Sequence, residues 1–316
     1  MEQLIFIHYM NRSGSTYLCN QLSEFNEILV CPEAEVLIYN FLINPGKKIK
    51  IGKRFFKKIE HIVNYDPKLK YWGLNADQII SRISESNTHF QVFYAFIKVY
   101  QEIIKPGAKI LVFKGTRLIN VLPKVQKSQP PVGIKNIFII RDPRAIYYSQ
   151  NRTSNPVNGK RMCNNPVLLA KQWDWYINQI DRYKKDPFCQ KLFYEKMILN
   201  KDKYILDLCN FLAVNPNQKV KGGDLLRRIP ENQLVIHKNS VNQAEKRLID
   251  HWQNEDPENL KWTEIIQKYS QKYLDHYSEF NSVSPITFWQ KITVLIYLIR
   301  WYLYLVFYKY SYNRYS

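Results

Sequence analysis

The sequence has 316 residues, of which 46% are hydrophobic, and this allows one large globular unit with its own core. Its formal net charge of +19 predicts attraction to anions, although a solvated basic surface explains the charge equally well. Five cysteines without a CxxC pair, and without histidines at metal-ligand spacing, argue against a disulfide scaffold and a zinc site. The N-terminal apolar run is too short for a signal peptide, so we expect a cytoplasmic protein with reduced thiols.

Short apolar runs followed by polar loops predict the strands of a parallel α/β sheet. The strand candidates, in chain order, are 4–7, 28–30, 109–113, 136–140 and 191–194. The apolar spacing of a helix occurs over 16–25, 76–104, 166–183 and 204–212. By contrast, residues 46–72 are rich in Lys and show no sharp period. Polar residues follow the strand candidates, at the sheet edge where α/β proteins hold ligands.

The first loop, Met10–Leu18, lies between a strand and a helix, where backbone N–H groups and the helix dipole face an incoming anion. Arg12 supplies a cation for this loop. Hydroxyl donors follow at Ser13, Ser15 and Thr16. A nucleoside triphosphatase loop needs Gly and Lys where this chain has Tyr9 and Ser15, which disfavours a P-loop kinase. The alternative interpretation is a plain turn with a helix N-cap.

A second anion motif follows the fourth strand candidate. Asp142 and Pro143 suit the cap and the first turn of a helix, which is a sufficient structural role for both. Arg141 directly precedes them at the end of the strand, and Ser149 lies in the second turn of the predicted helix. A forked guanidinium and a hydroxyl donor together predict a phosphate site.

The two motifs resemble those of the sulfotransferases that use 3′-phosphoadenosine 5′-phosphosulfate (PAPS). The run from Arg12 to Leu18 is similar to the 5′-phosphosulfate-binding motif of the family's carbohydrate and tyrosylprotein branches. The resemblance is to a bacterial type of these enzymes. Arg141 and Ser149 match the family's 3′-phosphate motif. The resemblance spans about residues 4–280 and includes Lys191–Glu195, which is similar to the family's RYED-type strand. Two positions depart from the family. Lys196 stands where the RYED-type strand has Asp, and Ala213 stands where the FLG sequence that follows it has Gly.

This resemblance implies a P-loop-type three-layer α/β fold with a central parallel sheet. We expect a catalytic domain over 1–282 and, from the apolar run near the C-terminus, a hydrophobic helical tail over 283–316. The resemblance also implies transfer of a sulfuryl group from PAPS, without a required metal, to a hydroxyl of a glycan, lipid or small molecule. The implied donor-binding residues are Arg12, Ser13, Gly14, Ser15, Thr16, Tyr17, Arg141, Ser149, Lys238 and Ser240.

For the catalytic base we expect Glu33, because it follows the second strand candidate and so lies beside the first loop. Glu35 is the alternate base, and both carboxylates equally suit the start of a helix. Lys114 ends the third strand candidate, where it stabilises charge on the bridging oxygen or acts as an ordinary strand-end cation. We expect Arg117 to face the acceptor and His8 to be structural.

Three other functions stay open. A basic nucleic-acid-binding protein fits the charge and the 15% aromatic content but leaves both anion motifs unexplained. A kinase-like nucleotide enzyme would require the missing Lys in the first loop. A degenerate sulfotransferase retained as a membrane scaffold would not turn over the donor.

The tail carries an apolar and aromatic run over 288–308, about 31 Å long as a helix. Arg300 in its middle is costly for a spanning helix, whereas its Trp and Tyr residues and flanking cations suit a membrane interface. We therefore expect peripheral membrane contact through 285–316. The alternative is a helix packed on the catalytic domain or on a second subunit.

Deleting 285–316 should lower the fraction of protein that sediments with vesicles containing phosphatidylglycerol, because the interfacial aromatic and basic residues are removed. The full-length chain with neutral phosphatidylcholine vesicles is the control. Equal sedimentation of the two chains would exclude membrane contact through the tail.

Overall fold

A computed structural model gives the fold. The residues that it describes are 2–83, 88–154, 159–219 and 261–274, with the single positions 249, 252, 292 and 299. They belong to two compact units. The first unit comprises Met1–Ile140 and Tyr183–Glu245, and the second comprises Arg141–Arg182 and Lys246–Ser316.

The first unit is built on a five-stranded parallel sheet in the order β2-β3-β1-β4-β5. Its strands are β1 (Gln3–His8), β2 (Ile28–Val30), β3 (Ile110–Gly115), β4 (Gly133–Ile140) and β5 (Cys189–Phe193). The central strand is β1, in which His8 pairs with Gly115 of β3 and with Phe138 of β4. A central parallel strand is covered on both faces, which is why the run from Leu4 to Ile7 is continuously apolar and fully buried.

Helices flank this sheet. Those of the first unit are α1 (Ser15–Ser23), α2 (Glu35–Leu37), α3 (Lys53–Tyr65), α4 (Ala76–Ile83), α5 (His89–Ile104), α6 (Leu118–Lys127), α9 (Tyr194–Leu199) and α10 (Lys201–Leu212). A π-helical turn at Ile38–Leu42 continues α2, and a 3-10 turn spans Leu69–Trp72. The predicted α/β fold with a central parallel sheet is confirmed.

The second unit contains α7 (Pro143–Arg152), α8 (Pro166–Asp181) and α11 (Lys261–Leu274). Helix α11 packs on α7 and on α8, and the ring of Trp262 lies 4.8 Å from that of Tyr147. The predicted cap of α7 is confirmed, because the Asp142 carboxylate accepts a hydrogen bond from the N–H of Arg144 and Pro143 opens the first turn.

Two segments differ from the sequence predictions. The helical pattern over 76–104 consists of two helices, because Thr88 and Gln91 form a capping box that starts α5 anew. The Lys-rich segment contains the helix α3, whose buried stripe is Ile59, Ile62 and Val63. So narrow a stripe gives a weak periodic signal among exposed lysines, and the sequence analysis missed this helix.

Aromatic rings fill the core between α5 and one face of the sheet. Phe93 of α5 packs edge-on against Phe6 at 6.0 Å and against Phe113 at 5.0 Å. Trp72 also meets Phe113, and it tilts against Tyr100 at 4.7 Å. These contacts anchor the 3-10 turn and α5 to the strands β1 and β3.

Among the described residues, no helix is long and apolar enough to cross a membrane. The predicted tail over 283–316 lies outside the described residues except for Ile292 and Ile299. The predicted donor contacts Lys238 and Ser240 also lie outside them.

Replacing Phe93 by Ala should lower the free energy of unfolding by about 3–5 kcal/mol, because the side chain is fully buried and the cavity is lined by rings that cannot collapse. Urea unfolding followed by circular dichroism measures this. Ile103→Ala on the same helix is the matched control, since Ile103 is 43% exposed and should cost no more than about 0.5 kcal/mol. Equal costs for the two variants would contradict this account of the core.

Candidate active site

The loop between β1 and α1 turns sharply through two residues in the left-handed region. Arg12 has φ 70° and Gly14 has φ 88°, and Gly14 is the N-cap of α1. The N-cap has no side chain, so the first N–H groups of α1 receive no side-chain cap. The helix begins with its donors open toward the loop, as an anion site requires.

Tyr194 lies directly against Gly14. A Cβ atom built on Gly14 would overlap the ring of Tyr194. Tyr194 is the first residue of α9 and follows β5 in the run that resembles the RYED-type strand. The glycine is therefore required by its backbone angle and by this ring, and the ring holds the loop from one side.

The loop carries an unsatisfied donor at Ser13. Its hydroxyl is buried, with the residue 1% exposed, and has no hydrogen-bond partner among the described residues. A buried polar atom without a partner is costly unless a ligand supplies one. Ser15, Thr16 and Tyr17 are also buried in the first turn of α1. These residues fit an anionic group such as the phosphosulfate of the donor.

Lys114 reaches the same loop from β3. Its ammonium donates a hydrogen bond of 3.1 Å to Thr16 Oγ1 and lies 5.5 Å from the centre of the Tyr9 ring. Lys114 is only 7% exposed. A buried ammonium beside an anion-binding loop strengthens the attraction for negative charge.

Glu33 lies beside this cation and is held by two donors. The Tyr9 hydroxyl donates to Glu33 Oε1 at 2.7 Å, and Lys68 Nζ donates to Oε2 at 3.0 Å. Burial alone would raise the pKa of Glu33, but the charges of Lys68 and Lys114 and these hydrogen bonds hold it below its ordinary value. The carboxylate is therefore ionised at neutral pH and can accept a proton.

Glu35 is held in a different way. Its Oε1 accepts from the N–H and from the hydroxyl of Thr116, each at 2.9 Å, so it braces the turn after β3. Burial, followed by the charge of Glu33, raises the pKa of Glu35. It also occupies the first turn of α2, as the alternative interpretation predicted. Glu35 Oε2 is buried without a hydrogen-bond partner among the described residues, so Glu33 stays the predicted base and Glu35 the alternate.

His8 and Arg117 have contacts of their own. His8 is fully buried, lies 2.9 Å from Asn136 Oδ1 through Nε2, and stacks on Phe138. Burial lowers the pKa of His8 to about 4, so the ring is neutral at physiological pH. These contacts support its predicted structural role. Arg117 stacks over the ring of Tyr39 at 5.0 Å.

In the second unit, two arginines of the predicted phosphate motif have different surroundings. Arg144 is buried, and its Nε and Nη2 both bind the carboxylate of Asp142 while it stacks on Trp252 at 4.6 Å. Arg141 precedes this pair and is half-buried, with its carbonyl accepting from the Trp173 indole at 2.8 Å. Arg144 is therefore a structural cation, and the phosphate contact through Arg141 stays a prediction.

The sequence analysis missed three residues of this site: Tyr9, Lys68 and Tyr194. Tyr9 was noted only as a mismatch to a nucleotide loop, although its place at the end of a strand was a usable signal. Lys68 had no signal, since it is one of many lysines in the segment over 46–72. Among the described residues, no group of three or more His, Cys, Asp or Glu side chains could hold a metal ion.

The arrangement of strand, anion loop and helix defines a class of fold. No family model and no curated protein matches the sequence. The sulfotransferase domain of the olefin synthase from Synechococcus PCC 7002 is similar in structure, with a TM-score of 0.60, 17% identity, and coverage of 89% of this chain and 96% of that one. The sulfotransferase domain of the curacin biosynthetic pathway has a TM-score of 0.53 and 20% identity, covering 86% and 97%. The chain has the sulfotransferase fold that the motifs predicted.

Gly14→Ala should destabilise the protein more than Gly73→Ala does. Both positions have positive φ, so each alanine costs about 1–2 kcal/mol of backbone strain, but only Gly14 faces a ring, whereas space is open around Gly73. Overlap with Tyr194 should add about 1–3 kcal/mol. Urea unfolding measures the difference, and Gly14→Ala combined with Tyr194→Ala should recover part of it. Equal losses in the two glycine variants would show that the ring does not restrain the loop.

Proposed function

We propose that this protein transfers the sulfuryl group of PAPS to a hydroxyl of an acceptor. The observation that supports this most strongly is the pairing of an open anion loop with an ionised carboxylate. The loop carries the Ser13 hydroxyl, which has no partner among the described residues, and the charge of Lys114 acts on the carboxylate of Glu33. An anion-binding loop alone fits many ligands, whereas a base beside it fits group transfer.

In this proposal, Glu33 accepts the proton of the acceptor hydroxyl. The acceptor oxygen forms a bond to sulfur, the bond from sulfur to the bridging oxygen breaks, and the electron pair leaves with the 5′-phosphate of 3′-phosphoadenosine 5′-phosphate (PAP). Lys114 and the first N–H groups of α1 stabilise the charge that develops on the leaving oxygen. No step requires a metal ion.

Arg141 and Ser149 would hold the 3′-phosphate of the donor. Arg141 lies directly after β4, and Ser149 lies in α7. Arg144 is not assigned to the phosphate, because its guanidinium is already committed to Asp142. A phosphate bound by a forked guanidinium distinguishes PAP from nucleotides that lack this group.

The acceptor is a glycan, a lipid or a small molecule in this proposal, with 46–104 and 150–165 contributing to its site. Peripheral membrane contact through 285–316 at a cytoplasmic membrane face remains a proposal. The nucleic-acid alternative has no support from a specific contact, since it requires only the basic charge.

PAP should bind the wild-type protein tightly in a calorimetric titration, with little heat from ATP. Arg12→Ala and Arg141→Ala should each weaken PAP binding by about tenfold or more, because each removes a charge-assisted contact to an anionic group. Equal binding of PAP and ATP, or no binding of PAP, would contradict the proposal.

Arg144→Ala is the matched control within the same motif. It should lower the free energy of unfolding by about 3–5 kcal/mol, because it leaves Asp142 buried without its cation. Its loss of PAP affinity should be smaller than that of Arg141→Ala. A larger loss of PAP affinity in Arg144→Ala, when the variant is folded, would assign the phosphate to Arg144.

A further inference from the structure

The segment between α3 and α4 provides a cation to the proposed base. Lys68 Nζ lies 3.0 Å from Glu33 Oε2, across a long separation in sequence. The side chains of Lys68 and Glu33 are 38% and 27% exposed, so the pair is partly open to solvent. An ion pair between two mobile surface side chains contributes little to the free energy of folding, so the anchoring of the backbone matters.

The backbone around Lys68 is anchored. The carboxylate of Asp66 accepts from the N–H of Lys68 at 3.0 Å and from the N–H of Leu69 at 2.9 Å. Leu69 and Trp72 are each 1% exposed and belong to the core of the first unit. The turn that carries Lys68 is therefore held at both ends, and the ammonium starts from a fixed Cα position.

Tyr9 complements Lys68 on the other carboxylate oxygen. Its hydroxyl lies 2.7 Å from Glu33 Oε1, and the residue is 4% exposed. An ionised carboxylate offers about four lone-pair positions, of which these two donors fill two. Among the described contacts, the remaining positions can accept a proton from a hydroxyl group, while the two donors restrain the orientation of the carboxylate.

We propose that Lys68 is a positioning residue, which fixes the Glu33 carboxylate together with Tyr9 and keeps it ionised. The proposal rests on the proposed function only for the role of Glu33 as base. Nothing in the two donor motifs involves this segment. It assigns to the turn over 66–72 a task in the reaction, in addition to its packing role.

The other charged and titratable groups around Glu33 support the same conclusion. Lys114 of β3 contributes a second positive charge, whereas Glu35 on the same segment of chain contributes a negative one. Cys19 of α1 has its pKa raised to about 11, mainly by burial, so it is neutral and adds no charge. Lys68 therefore balances the repulsion between Glu33 and Glu35.

The test is a titration of the Glu33 carboxyl group by NMR in protein labelled with ¹³C-glutamate, with Glu33→Gln to assign the signal. Lys68→Met should raise the pKa of Glu33, because a nearby positive charge and a hydrogen bond to the ionised form are lost. Lys68→Arg should restore the wild-type midpoint, and Tyr9→Phe should also raise it. Lys70→Met is the matched control, since Lys70 is an exposed lysine of the same turn and should leave the midpoint unchanged.

A second readout uses the slow release of PAP from PAPS with water as acceptor. Lys68→Met should lower this rate more at pH 5 than at pH 8, because a base with a raised pKa is less ionised at the lower pH. The affinity for PAP should stay unchanged in calorimetry, since the donor loop is intact. A merely structural role would lower the rate equally at both pH values.

An unchanged Glu33 midpoint in Lys68→Met and in Tyr9→Phe would overturn the proposal. If Lys68→Met does not fold, Lys68→Gln and Tyr9→Phe replace it in the same titration. Failure of the wild-type protein to bind PAP would overturn the proposed function instead. The two failures are distinguishable because the titration requires neither donor nor acceptor.

Discussion

Parallel pairing of β1 with β3 is the constraint on which the arrangement of the candidate site depends. The register that sets Val30 opposite Val112 and His8 opposite Gly115 brings the carboxyl ends of β2, β3 and β1 to one edge. Tyr9, Glu33 and Lys114 leave the sheet at that edge. Their contacts are a result of the sheet order, since these residues lie far apart in the chain.

The site brings together an anion loop and two carboxylates, and like charges in a shielded place repel each other. Two lysines offset this repulsion in different ways. Lys114 faces both the loop, through Thr16, and Glu33. Lys68 reaches only the carboxylate among the contacts described. Glu35 avoids the conflict by binding Thr116, which makes it part of the scaffold.

Much of the fold was predictable because its signals are local. Apolar runs identified all five strands, and Asp142 with Pro143 identified a helix start. The position of the loop over Met10–Gly14, between β1 and α1, was predictable for the same reason. The partners of Glu33 were not, because Lys68 acquires its role only when α3 and the 3-10 turn pack against the core. Likewise, no sequence pattern separates Glu33 from Glu35 as the base, because the two lie two residues apart after the same strand.

The contact between Gly14 and Tyr194 has a consequence for the order of folding. The anion loop is near the start of the chain, whereas the ring that covers it follows the last strand of the sheet. A nascent chain can pair β1 with β3 before β5 has left the ribosome, but its loop is then uncovered on one side. Non-local contacts of this kind form late, because the long intervening chain must be ordered first. The ring that covers the loop is therefore added together with the edge strand, after most of the sheet can form.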